Sequence, residues 1–304
     1  MSRVFLRSDW NIKKISGVLI LSLLPLILAG FYKNGIKLYA KDLIPLYDMF
    51  KPLIMVFLGF VMGVFANLIY HHGFKDTKES VKDVIFNSFV PLYGILIACV
   101  VSINTNLLLF GAITFIILLI SKFIPKLRFN VACLAAIVII LISSLVSNYS
   151  FLNTYEEGAS LNLSVLDYFI GMGSGGINTT YIILILASFI FLSARDYYKV
   201  LIPVACASAY TLCILLYAAL SSNVAGLFEY LFVGSSFFSF VYLATDSPSS
   251  CYTRRGQTIY GALIGVLTFA FFLIYPPLAP LAAILIVSII SNPIDKLILK
   301  LNVK

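Results

Sequence analysis

Charge is what this sequence has least of. Of 304 residues only 11% are Asp, Glu, Lys or Arg, against about 25% in soluble globular domains. Hydrophobic residues make up 61% and the mean hydropathy is +1.02. So few charges cannot cover a water-facing surface, which excludes a soluble domain. Histidine is nearly missing as well, and its two copies, His71 and His72, are neighbours. Adjacent helical positions point in different directions, so the pair reads as a loop edge rather than as joint metal ligands. The cysteines Cys99, Cys133, Cys206, Cys213 and Cys251 form no CxxC pair, and four of them lie inside apolar runs. No zinc or haem chemistry is therefore readable. A His/Asp/Ser constellation of the kind a lipid-processing enzyme needs is also missing. The 25 Phe and 18 Tyr are what packing and interfacial anchoring in lipid call for, and they define no quinone box.

What the chain does have is apolar runs. Crossing about 30 Å of hydrocarbon takes roughly 20 residues, and such runs fall near 15–32, 52–71, 84–103, 106–121, 129–147, 179–194, 200–220, 224–244, 257–275 and 277–292. The spacing predicts an all-α integral membrane protein of about ten transmembrane helices. Threading these spans from a cytoplasmic N-terminus leaves 17 of the 21 Lys and Arg in inside segments, with Lys33, Lys37, Lys41 and Lys51 outside. That asymmetry obeys the positive-inside rule. The net charge of +8 thereby reads as membrane orientation and not as a nucleic-acid surface. Arg3, Arg7, Lys13 and Lys14 ahead of Ile15–Leu28 have signal-peptide polarity, but without a small-residue cleavage site the segment reads as a retained first helix. The expected organisation is one polytopic domain over 1–304, with a first half to about 147, an outer loop 148–163 and a second half from about 164. It sits in the plasma membrane with both ends cytoplasmic. Five spans on either side of the loop make any internal repeat inverted, as in many transporters.

Two stretches interrupt this pattern. Ser164–Ile170 is too short to cross and reads as a re-entrant half-helix. It runs into Gly171-Met172-Gly173-Ser174-Gly175-Gly176-Ile177-Asn178-Thr179-Thr180, where four glycines disfavour continued helix. Unwound backbone at membrane depth is tolerated where protein or a cavity covers it. The segment then reads either as a plain outer loop or as a ligand-facing break, with free N–H groups plus Thr179 and Thr180 drawing anionic or polar groups. The second interruption, Ala244-Thr245-Asp246-Ser247-Pro248, is followed by Arg254-Arg255-Gly256. Pro248 cannot continue a helix, and a carboxylate at that boundary needs a partner, for which Arg254 or Arg255 folding back is the candidate. A simple stop-transfer loop accounts for the arginines equally well. Asp167 and Glu229 read as solvated edge positions.

The second half resembles a known family. Val241-Tyr242-Leu243-Ala244-Thr245-Asp246-Ser247-Pro248, then Thr253-Arg254-Arg255-Gly256-Gln257-Thr258-Ile259-Tyr260-Gly261, Tyr275-Pro276-Pro277 and Ser291-Asn292-Pro293-Ile294-Asp295, are similar to NqrB and RnfD, membrane subunits of the sodium-pumping quinone reductase and of the Rnf complex. The resemblance covers about 165–300. In the first half Phe129-Asn130-Val131-Ala132 stands where the family has a Gly-rich, Asn-Pro segment. The resemblance implies a ten-helix fold that binds flavin and passes electrons while a complex moves Na⁺ or H⁺, and a Pro and an acidic residue closing the last helix. It also implies partner subunits carrying flavin or iron-sulfur groups. The Ser-Gly-Ala-Thr type motif that carries covalent FMN in the family has no counterpart here: the outer loop reads Asn153-Thr154-Tyr155-Glu156-Glu157. Asn178 stands where the family's Gly-rich stretch has an acidic residue.

Two functions follow. The first is an RnfD-like subunit of a flavin-dependent electron-transport assembly, with FMN or riboflavin held non-covalently. Its candidate binding residues are Gly173, Ser174, Gly175, Thr179 and Thr180 at the outer break, and Thr245, Asp246 and Arg255 at the inner one. The alternative is a transporter or channel for a small polar solute on the same fold, without electron transfer.

Overall fold

The structure, a computed structural model, describes residues 11–74, 81, 85, 87–124, 128–146, 164–221, 231–232 and 234–302. Uncharged apolar runs satisfy their peptide groups internally by coiling, the one local solution open to a chain in lipid. In order these are α1 (Ile12–Phe31), α2 (Leu46–Met49), α3 (Lys51–Leu68), α4 (Val90–Val100), α5 (Leu107–Phe123), α6 (Val131–Val146), α7 (Val165–Phe169), α8 (Ile182–Ser193), α9 (Leu201–Ser221), α10 (Ser236–Phe238), α11 (Arg254–Phe272) and α12 (Ala279–Asn302). Wider π-helical turns extend α1 over Tyr32–Ile36, followed by a last α-helical turn Lys37–Tyr39, and likewise extend α3 over Ile69–Phe74 and α10 over Ser239–Leu243. No strand occurs among the described residues. Four helical stretches, Ile12–Tyr39, Lys51–Phe74, Leu201–Ser221 and Ala279–Lys300, are long and apolar enough to cross a membrane. Four shorter helices are also apolar. The protein is therefore an all-α, multi-pass membrane protein.

Local chemistry sets the ends. The Asn106 side chain accepts from Leu108 N at 2.9 Å to start α5, and Thr253 Oγ1 accepts from Gly256 N at 3.1 Å to start α11. Pro52 and Pro91 sit in the first turns of α3 and α4, where a missing N–H costs nothing.

Several boundaries differ from expectation. The third predicted span, 84–103, is helical over α4 and ends at Val100 because Val101 turns extended, while 84 and 86 lie outside the described residues. The sixth starts at Ile182, since Thr179 and Thr180 belong to the break. The eighth is helical at 236–243, while 222–230 lie outside the described residues. The last helix does not stop at 292. Pro293 and Asp295 lie inside α12, which continues to Asn302. Ser164–Ile170 forms the short helix α7 over Val165–Phe169. A Ser164–Asp167 capping box starts it, and Val165 and Leu166 are exposed.

Helix packing repeats between the halves. α3 packs on α4 and α5 as α9 packs on the Ser239–Leu243 turn and α11, and α5 meets α6 as α11 meets α12. Across the halves α1 lies on α8, α4 on the α10 turn and α6 on α12. Glycine notches allow the closest crossings. Gly59 and Gly63 of α3 admit the backbone of α4 at Gly94 and Pro91, and Gly261 and Gly265 of α11 admit α9 at Ala205 and Cys206.

At the centre stands α4. Every one of its residues is buried, including Leu96, Ile97 and Cys99. Eleven residues rise about 16 Å, roughly half the hydrocarbon thickness.

Candidate functional site

Both interruptions meet at the ends of α4. At its C-terminal end, Ile177 N donates to Val101 O and Asn178 N to Cys99 O, each at 3.1 Å, stitching the Gly-rich break to the frayed helix. Asn178 Nδ2 reaches Cys99 Sγ at 3.3 Å. Gly30 of α1 and Gly176 of the break lack the Cβ that would collide with Asn178 and with Val100 O. Gly171, at φ +91°, occupies the left-handed region that glycine adopts without strain. The turn that ends α1 supplies two further residues. Lys33 Nζ donates to Gly173 O at 2.7 Å and Thr180 Oγ1 at 3.4 Å, and Asn34 Nδ2 donates to Ile177 O at 3.0 Å. Thr179 Oγ1 turns back to Gly176 O.

The outer break is thus covered by protein, with Ile177, Asn178, Thr179 and Thr180 all buried. The free N–H groups expected there are not free: those of Ile177 and Asn178 bind carbonyls of α4 and its frayed end. Ser174 and Gly175 remain partly exposed. They leave a hydroxyl and an amide at the edge of the break, fewer donors than the sequence suggested.

At the other end of α4, Tyr93 OH donates to Asp246 Oδ1 at 2.9 Å and Ser249 Oγ to Oδ2 at 2.8 Å. The cation facing Asp246 is Lys199, not an arginine, and Arg254 and Arg255 are exposed on the first turn of α11. Burial raises the Asp246 carboxyl above the usual carboxylate range, and Ser249, Tyr93 and Lys199 oppose that rise. Thr245 Oγ1 and Tyr198 OH both donate to Val241 O, at 2.7 and 2.8 Å. Asn130 Nδ2 donates to Leu243 O at 2.7 Å, and its Oδ1 accepts from Cys133 N to start α6. Asp295, inside α12, accepts from Tyr252 N, Thr253 N and Thr253 Oγ1 at 2.8, 3.1 and 2.7 Å, which fastens the loop to the last helix.

Beside this break lies a cavity of about 30 Å³, lined among others by Tyr93, Tyr197, Tyr198, Tyr242, Thr245 and Asp246. It has room for about two water molecules and cannot hold an isoalloxazine ring. Ion-sized or water-sized guests fit it.

Of the predicted site residues, Gly173 and Thr180 come together under Lys33, with Ser174, Gly175 and Thr179 beside them. Thr245 and Asp246 come together at the inner cavity, and Arg255 does not join them. Sequence reasoning missed Lys33, Asn34, Tyr93, Asn130 and Lys199. Lys33 was assigned to an outer loop although it is helical and buried. The one signal for it was its place directly after a long apolar run. Glu156, Glu157 and Glu229 lie outside the described residues.

A helical membrane protein whose central helix stops short at two protein-covered breaks is a class shared by several transport and redox subunits. Among known families, the one described as the NQR2, RnfD, RnfE family matches over residues 1–304. The chain belongs to that family, so it is a membrane subunit of the Rnf/Nqr type of multi-subunit complex. No curated protein matches it.

Proposed function

We propose that this chain is an RnfD-like subunit of a flavin-dependent electron-transport complex in the plasma membrane, coupled to movement of Na⁺ or H⁺. Its partners in this reading are membrane subunits and subunits bearing flavin or iron-sulfur groups, and both termini face the cytoplasm, which the 17-to-4 split of basic residues supports. The observation that carries the reading is the pairing of two buried breaks at opposite ends of α4 in a chain that fits the family along its whole length.

The two breaks divide the work. FMN or riboflavin, held without a covalent bond, supplies one- and two-electron redox chemistry. At the outer break Ser174 and Gly175 offer a hydroxyl and an amide to its polar edge, and Lys33 places a positive charge beneath them, at Gly173 O. At the inner break Asp246, the hydroxyls of Tyr93 and Ser249 and the water-sized cavity suit a proton or a small cation. α4 holds the two at a fixed separation.

The test is flavin extraction. Chain purified in mild detergent without acid treatment is expected to be yellow and to release FMN or riboflavin on acid precipitation. Colourless protein with no extractable flavin defeats the flavin assignment and leaves a scaffold role.

A further inference from the structure

Two walls of the inner cavity come from different parts of the chain. Tyr197 and Tyr198 belong to the 194–200 connection between α8 and α9, whereas Thr245, Asp246 and Ser247 open the strap that leads into α11. Two neighbouring side chains join them: Tyr198 OH donates to Val241 O at 2.8 Å just ahead of the strap, and Lys199 reaches the strap itself. Lys199 Nζ donates to Ser250 Oγ at 2.7 Å, Ser247 O at 3.4 Å and Ser250 O at 3.5 Å, and it lies 4.2 Å from the ring centroid of Tyr252. We propose that Lys199 is a positioning residue, a clasp across the inner mouth of the cavity, and that the two walls part when its side chain leaves the strap for the inner solvent.

Charge makes this clasp the weak point of the closure. From the strap Lys199 faces Asp246 and Cys251, from α12 Asp295, and from the segment ahead of α6 Arg128, whose guanidinium lies 5.7 Å from the centroid of the same Tyr252 ring. The acidic groups and the thiol favour its ammonium and Arg128 opposes it. Burial outweighs them all and brings the lysine down to about 8. The sign follows from linkage. A clasp that holds the amine at about 8 closed and releases it to an ordinary 10.5 binds fewer protons closed than open. Raising the pH from 8 towards 10.5 therefore favours closure, about tenfold per pH unit, and below 8 the balance is level and most open. At neutral pH the charged clasp is loaded towards release.

The strap's own amides report opening, since Ser250 N is held on Asp246 O at 3.0 Å while the strap is closed. Full-length chain in lipid nanodiscs is given deuterated buffer between pH 7 and 10, and amide hydrogen exchange of the strap over 246–252 is read by peptide mass spectrometry. Each rate is divided by that of Lys199→Gln at the same pH, which cancels the intrinsic pH dependence of exchange. The ratio is expected to be level and well above one from pH 7 to 8, then to fall at least tenfold by pH 10. Lys199→Arg, whose charge does not titrate, should keep a high ratio throughout. A ratio that does not change with pH overturns the clasp, and so does Lys199→Arg following the wild type. The result is independent of whether flavin binds.

Discussion

The two breaks at the ends of α4 solve the same problem differently. Each exposes peptide groups in a place where lipid offers them nothing. The outer one closes mainly with neutral bonds: Ile177 and Asn178 amides onto Val101 and Cys99 carbonyls, the Asn34 amide onto Ile177, and glycines where backbones touch. The inner one closes with carboxylates, Asp246 held by two hydroxyls and Asp295 by two amides and a hydroxyl, and it keeps a cavity. Neutral backbone pairing gives a rigid joint, whereas buried carboxylates give a joint whose energy depends on pH.

Four substitutions probe that contrast. The largest effect is expected for Gly94→Val, which drives a side chain into the Gly59 carbonyl on α3 and so disturbs the hub that separates both breaks. Overpacking of a backbone contact should cost about 3 kcal/mol or more, seen as a fall of thermal midpoint in detergent with both breaks loosened together. Asn130→Ala comes next. It removes the cap of α6 and the donor to Leu243 O, at about 2 kcal/mol, and hydrogen exchange should rise at 243–246 while 176–180 stay protected. If both segments open equally, the breaks are not separate units.

Asp246→Asn tests the pH dependence. Because its carboxyl lies above 3.8 in the folded protein, the native state binds more protons than the unfolded one, and stability should decline as pH rises from 3.8 through the raised value. Asp246→Asn should abolish that decline. The outer carboxylate Asp167 is held low by Ser164, so it contributes the opposite slope, with stability lost as pH falls below 3.8. Tyr93→Phe should be the mildest, about 1 kcal/mol for one hydrogen bond. It should also move the Asp246 titration further upward, because one group that stabilises the carboxylate is gone. Infrared titration of the carboxyl band in the two proteins checks both expectations, and an unmoved band would show that the Tyr93 bond does not form.

The sequence by itself determined the class. Eleven per cent charge, repeated apolar runs and an uneven spread of lysines and arginines dictate helices in lipid, because composition and period act locally and need no knowledge of neighbours. It also marked both interruptions, since four glycines within six residues, and a proline directly after Thr245-Asp246-Ser247, disfavour continued helix at those places. Tertiary structure decided who meets whom. That Tyr93 and not Arg255 holds Asp246, that Lys33 points into the Gly-rich break, and that Asn130 reaches Leu243 depend on packing between segments more than a hundred residues apart, which no local pattern encodes. The two breaks became one arrangement because α4 is short and wholly buried, and burial on every side is a property of its neighbours.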